Sequence, residues 1–317
     1  MQIIQHILVP TDFSEGAEQA LALGVDFAKR TGATLHLFHV MDPLEGDHYS
    51  PLEFAPEARA LHKTADASVY EMLQKSMEPY DTEGLRVELV KQRSARISSA
   101  ITRYAEREKI DLIIMGSHGK SGFKRLLLGS VTAEVLRKAP CSVLTVPEKD
   151  GVKPGQIAKI LVPIDLSDYS AEVLRWARDF AESYHAHLDV LHVVEPFAFP
   201  TSITGINTIY DIVPDLHAKV ETRMKELLSE IGGVSVSYRL HIADGHAANT
   251  ILEFAEDLAS DLIILGTRGL TGAERFFIGS VSDRVARSAP CPVLATRQKA
   301  DEKAEDAEDV ATAAEPG

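Results

Sequence analysis

Two stretches of this sequence set glycines and a serine in the same order. Gly116-Ser-His118-Gly119 is followed, after nine residues, by Gly129-Ser130-Val131, and Gly266-Thr-Arg268-Gly269 is followed at the same distance by Gly279-Ser280-Val281. Glycines let a backbone come close to a ligand with no Cβ in the way. Gly129-Ser130 and Gly279-Ser280 each open a predicted helix, so free N–H groups, the helix dipole and a hydroxyl converge where an anion binds. Ser130 as a plain helix cap is the competing reading. A Walker A loop is ruled out, because Gly119-Lys120-Ser121 would need its first glycine at Ile114. The dinucleotide fingerprint fails too, since the loop Pro10-Thr11-Asp12-Phe-Ser14 has no glycine cluster.

The other polar candidates read as structural. Asp12 and Asp165 compete as caps with Ser14 and Ser167, which suit the role equally well. His39 and His192 fall inside predicted strands as core or pleat residues. Cys141 and Cys291 read as buried, inert thiols. His185, His187, His241 and His246 hint at zinc, but no Cys or neighbouring carboxylate completes a tetrahedral set in the sequence, so they read as solvated helix-end histidines. Trp176 follows helical spacing and reads as core.

These candidates come in pairs because the chain repeats. His6-Ile-Leu-Val-Pro10-Thr11-Asp12-Phe-Ser14 returns as Lys159-Ile-Leu-Val-Pro163-Ile164-Asp165-Leu-Ser167, and Leu37-Phe-His-Val40 as Val190-Leu-His-Val193. Asp111-Leu-Ile-Ile-Met115-Gly116 returns as Asp261-Leu-Ile-Ile-Leu265-Gly266, and Ala139-Pro-Cys141 as Ala289-Pro-Cys291. In the first half the apolar patterns predict strands at Ile3–Val9, Thr34–Val40, Leu85–Lys91, Asp111–Met115 and Ser142–Val146. Helices are predicted at Ser14–Arg30, Glu57–Met77, Ser94–Arg107 and Ser130–Lys138. Alternating strands and helices imply an α/β fold: two tandem doubly wound domains, each a five-stranded parallel sheet with helices on both faces. The expected domains are 1–147 and 157–297, joined at Pro147 to Gln156. Residues 298–317 are expected to form a disordered acidic tail. Ligands in such sheets sit beyond the carboxyl ends of the strands at the switch point, where Asp12, Val40 and Gly116 fall.

Composition narrows the class. With 317 residues, 45% hydrophobic and 25% charged, the chain has apolar material for two cores. Asp and Glu outnumber Lys and Arg 47 to 33, for a net charge of −14 and a pI near 5.3. Nothing in that balance recruits nucleic acid, and no apolar run is long enough to span a membrane. The first ten residues lack signal-peptide features, and two cysteines fit a reducing cytoplasm.

Taken together, the Gly-2x-Gly-9x-Gly-Ser spacing, the Pro-x-Asp after the first strand and the Ala-Pro-Cys before the fifth resemble the universal stress protein family, in its tandem form. That resemblance implies adenine-nucleotide binding, with ATP as ligand and Mg²⁺ carried on its phosphates. Asp12 would contact the ribose and the Val40 backbone the adenine. Gly116, Gly119, Gly129 and Ser130 would hold phosphates, with Pro10, Thr11, Met115, His118 and Val131 lining the pocket. Pro163, Asp165, Val193, Leu265, Gly266, Arg268, Gly269, Gly279, Ser280 and Val281 are the second-half counterparts. It further implies a cytoplasmic stress-response regulator or sensor with a regulatory protein partner. Its catalysis would extend at most to slow ATP hydrolysis. Family members often pair through strand 5, as a homodimer or, here, between the halves of one chain. A scaffold of the same fold that binds no nucleotide is one alternative; an enzyme of the related ATP-pyrophosphatase or electron-transfer flavoprotein fold is another, and the lack of a Ser-Gly-Gly-type loop after the first strand argues against it. The first loop carries Lys120, Lys124 and Arg125 and the second Arg268, Glu274 and Arg275, which favours tighter triphosphate binding in the first half. Asp283, in place of Ala133, leans the same way.

Overall fold

A computed structural model describes residues 4–41, 56–118, 128–147, 155–195, 209–267 and 278–297. The interiors of both glycine loops, with Gly119, Arg268 and Gly269, lie outside these residues, as do the charged loop residues and the tail. The first half runs β1 (His6–Pro10), α1 (Glu15–Thr31), β2 (Thr34–Met41), α2 (Pro56–Met77), β3 (Val87–Arg93), α3 (Ile97–Arg107), β4 (Leu112–Gly116), α4 (Ser130–Lys138) and β5 (Ser142–Val146). The second runs β6 (Lys159–Pro163), α5 (Ser170–Tyr184), β7 (His187–Val194), the single turn α6 (Ile209–Ile212), α7 (Leu216–Glu230), β8 (Tyr238–Asp244), α8 (Ala247–Asp257), β9 (Leu262–Gly266), α9 (Ser280–Ser288) and β10 (Val293–Thr296). Several bounds in the first half differ from the sequence expectation by a residue, and β1 begins at His6 instead of Ile3. The third strand is shifted to Val87–Arg93, and α3 starts at Ile97, because the Ser94 hydroxyl accepts the Arg96 N–H in a turn that precedes the helix.

Each half has strand order 3-2-1-4-5 with all neighbours parallel. The two five-stranded sheets then join edge to edge, β5 against β10 antiparallel, into one ten-stranded sheet. The central strands are apolar throughout, yet the pleat still sorts them. Ile7, Val9, Leu112 and Ile114 face a core shared with α1, α2, α5 and α7, while Leu8, Ile113 and Met115 face one shared with α3, α4, α8 and α9. Over the seam, α1 meets α5. Phe27 packs on Phe180 at 4.8 Å, Arg30 lies 4.0 Å over the Tyr184 ring and donates to the Ser183 carbonyl, and the Tyr184 hydroxyl donates to Asp26. Trp176 is buried in the same layer, as its spacing implied.

The strands at the switch point are pinned at one end and parted at the other. At the foot, Asp111 accepts the N–H groups of Gln5 and His6 at 2.7 and 3.0 Å, and Asp261 takes those of Ala158 and Lys159 at 2.8 and 2.9 Å. Pairing of β1 with β4 covers only Ile7–Leu112 and Leu8–Ile113, whereas β1 pairs with β2 as far as Pro10–Phe38. β6 and β9 repeat this with Ile160–Leu262 and Leu161–Ile263. A crevice therefore opens at the carboxyl ends in each half. No helix among the described residues is long and apolar enough to cross a membrane.

Candidate functional site

One wall of each crevice is the turn between the first strand and its helix. Phe13 and Leu166 sit at φ 60° and 63°, a left-handed conformation unusual for bulky side chains, and both copies adopt it. In the first half the turn is held by Thr11, whose hydroxyl accepts the Phe13 N–H at 3.0 Å. Ile164 replaces Thr11 in the second half and has no hydroxyl to offer. Asp12 Oδ1 accepts the Ser14 N–H and hydroxyl at 3.0 and 2.5 Å, and Ser14 in turn caps α1 by accepting the Ala17 N–H. The cap is thus the serine, and the carboxylate stands behind it. Asp165 Oδ1 takes three donors: Ser167 N–H, Ser167 hydroxyl and Ser170 hydroxyl, at 3.1, 2.6 and 3.0 Å. Its Oδ2 is buried with no hydrogen-bond partner.

His39 and His192 have a role that sequence reasoning missed. Their Nδ1 atoms lie 2.7 and 2.9 Å from the carbonyls of Thr11 and Ile164, so each ring donates there and fixes the residue before the aspartate. Repetition of the histidine at both strand ends was the available signal. Beside them Val40 and Val193, half-buried, are the next-to-last residues of β2 and β7 and lie past Phe38 and Leu191, the last residues paired with β1 and β6.

The opposite wall is the glycine loop and the helix after it. The loop closes on itself at its neck: Gly129 N–H donates to the Ser117 carbonyl at 2.7 Å and the Thr132 hydroxyl to the Gly116 carbonyl at 2.9 Å. Gly279 to Thr267 and Ser282 to Gly266 repeat both bonds at 2.9 and 2.6 Å. Gly129 and Gly279 are the N-caps of α4 and α9, and as glycines they offer no side chain to cap either helix. Ser130 and Ser280 are first helical residues and not caps, so the first N–H groups of each helix, which have no partner within the helix, lie beside their hydroxyls. Met115 and Leu265 are buried near the ends of β4 and β9, Val131 and Val281 are half-buried on the helices, and Pro10 and Pro163 are half-buried at the ends of β1 and β6. His118 is held through Nδ1 by the Ser117 hydroxyl at 2.9 Å, with Nε2 buried and unpartnered.

Gly116 has an internal reason to be glycine. A Cβ there would lie 2.9 Å from the carbonyl carbon and oxygen of Gly16, so the start of α1 fills the space beside it. In the second half Tyr169 stands where Gly16 does, and its hydroxyl bonds the Thr296 hydroxyl at 3.2 Å.

Two expectations need correction. His187 and His241 are not solvated helix-end residues: they lie on β7 and β8, with Asp189 Oδ1 3.5 and 2.7 Å from their Nε2 atoms. Asp189, two positions after His187, is thus a neighbouring buried carboxylate that the sequence reading passed over, yet among the described residues no three such side chains are set to hold a metal ion. Asp283 forms a two-pronged pair with Arg287 at 2.7 and 2.9 Å, so its charge is neutralised along the helix. Cys141 and Cys291 are both buried, and burial pushes the Cys291 thiol up to about 12.

The model of the Universal stress protein family matches this sequence twice, over residues 4–147 and 156–297. A universal stress protein of Methanocaldococcus jannaschii is 34% identical over 142 residues, which cover 44% of this chain and 82% of the relative. One from Mycolicibacterium smegmatis is 26% identical over 307 residues, 92% of this chain and 97% of the relative. The crystal structure of a universal stress protein from Archaeoglobus fulgidus shares the fold with a TM-score of 0.63 at 22% identity, covering 95% of this chain and all of that one.

Proposed function

Because the chain belongs to the universal stress protein family through both of its halves, we propose that each half is an adenine-nucleotide site and that the protein is a nucleotide-responsive regulator or sensor in the cytoplasm. The observation that carries this is the pair of walls around each parted strand end. A serine-held carboxylate stands on one side, and a helix N-terminus that begins on a glycine on the other. Carboxylate oxygens accept the hydroxyls of a ribose, and helix N–H groups accept phosphate oxygens, so the two walls match the two polar ends of a nucleotide. The buried Oδ2 of Asp165, which has no protein donor, fits such a hydroxyl.

In this proposal Asp12 and Asp165 hold ribose, and the backbones of Val40 and Val193 read the base. Gly116, Gly119, Gly129 and Ser130, with Gly266, Gly269, Gly279 and Ser280, hold phosphates. Mg²⁺ would ride on those phosphates. Among the residues so assigned no nucleophile–base pair stands beside the phosphate wall, which favours binding over turnover.

Titration calorimetry with ATP on the full chain, Asp12→Ala, Asp165→Ala and the double variant tests the proposal. Each single variant should lose one site and the double variant both. A parent protein that takes up no adenine nucleotide, or a double variant that binds as the parent does, refutes it and leaves the scaffold reading.

A further inference from the structure

The two halves are near-copies across the β5–β10 seam, but the contacts at its two ends are not. Arg297, directly after β10, is 8% exposed and turns across the seam into the first half. Its backbone N–H donates to the Ser142 hydroxyl at 3.1 Å, and its Nη2 to the carbonyls of Leu136 and Arg137 at 3.4 and 3.0 Å. Leu136 and Arg137 belong to the last turn of α4, whose carbonyls have no further helical partner. A guanidinium there satisfies them and opposes the negative end of the helix dipole. In the repeat, Arg297 corresponds to Pro147 and Ser142 to Pro292. Proline has no N–H, and its ring offers neither a donor nor a hydroxyl, so the reciprocal clamp on α9 cannot form.

We propose that Arg297 is a positioning residue through which the second half seats α4, and with it Gly129 and Ser130 at the phosphate wall of the first site. The consequence for binding rests on the nucleotide reading above. Seating α4 from its carbonyl end fixes where its N–H groups point, a condition phosphate needs and a bare nucleoside does not. The first site thus depends on the docked second half for its phosphate affinity, while the second site has no such dependence on the first.

The test uses the full chain, its Arg297→Met and Arg297→Lys variants, and two probes, ATP and adenosine. Methionine keeps most of the volume without the donors, and lysine restores a single point charge. Arg297→Met should weaken ATP at the first site about three- to tenfold, the range of a partly buried charge at a helix end. Adenosine affinity should stay at the parent value, and Arg297→Lys should recover part of the ATP loss. Asp165→Ala in each background isolates the first site. Without ligand, hydrogen exchange over Ser130–Lys138 should quicken in Arg297→Met while Ser280–Ser288 stays at the parent rate.

Unchanged exchange in α4 refutes the clamp. Equal losses for ATP and adenosine refute the phosphate-specific role and leave a general folding defect. A parent that binds neither probe overturns the nucleotide reading and the affinity claim with it. That failure is told apart from failure of the clamp because the exchange contrast needs no ligand.

Discussion

The contact between Gly116 and Gly16 can be tested from both sides. A methyl group on Gly116 would sit 2.9 Å from two backbone atoms of Gly16, where ordinary contacts begin near 3.4 Å. Neither atom can rotate away, so α1 or the end of β4 must retreat by roughly half an ångström in a close-packed layer, a strain of about 1–3 kcal/mol. Replacing glycine restricts the unfolded chain and returns about 0.4–1 kcal/mol, which leaves Gly116→Ala less stable by about 1–2 kcal/mol. For a unit near 150 residues that is a melting-point drop of about 2–8 °C. From the other side, a Cβ on Gly16 meets the His118 carbonyl oxygen at 3.1 Å and the Gly116 Cα at an ordinary 3.9 Å, and gains helix propensity in exchange. Gly16→Ala should stay within about 0.5 kcal/mol of the parent. Urea denaturation by circular dichroism, on protein stripped of bound small molecules, supplies both numbers. If ligand-free Gly116→Ala matches the parent within about 0.5 kcal/mol, the packing account is wrong and the glycine serves ligand approach alone.

Three further outcomes follow from the buried polar groups. Burial holds His36 below its ordinary value against the pull of Glu88 and Glu108, with His6 opposing protonation and Tyr104 bonded to Nδ1. The unfolded chain therefore takes a proton first as pH falls through about 6.5, and stability that is full above that pH is lost below it, by at most about 1.4 kcal/mol per pH unit. His36→Asn should flatten this acid slope in urea midpoints taken between pH 8 and 5, and an unchanged slope would clear His36. Cys291, pushed to about 12 by burial and by Asp261, should resist iodoacetamide at pH 8 in folded protein and react on denaturation; labelling of the native chain would contradict its inertness. Tyr184→Phe strips the hydroxyl bonded to Asp26 at the α1–α5 contact and should cost about 1–2 kcal/mol, so an unchanged urea midpoint would show that bond contributes nothing.

Much of this molecule is legible in the sequence where a residue's job is local or repeated. The strand and helix periods, the Ser14 cap and the duplicated glycine spacing each depend on neighbours a few positions away. Sequence reasoning failed where the partner is remote. Gly116 pairs with Gly16, a residue inside a helix that no loop motif includes. Asp189 looks like one more strand position until β8 brings His241 to it. Arg297, at the edge of the acidic tail, carries no motif, and only the antiparallel seam places it on α4. The αL turn at Phe13 and Leu166 was also invisible, because neither residue type advertises a positive φ.

The seam also changes what mutation can do. In a symmetric homodimer joined by β5, every substitution would appear on both sides of the two-fold axis, so an arginine placed at one end would be matched by an arginine at the other. Covalent linkage lifts that constraint, and the prolines at 147 and 292, the repeat counterparts of Arg297 and Ser142, are its visible result. Linkage also makes the pairing intramolecular. The seam forms at an effective concentration set by the short segment around Gly155 and independent of how much protein a cell holds. Dilution, which would take a homodimer apart at this edge, leaves the two sites joined here.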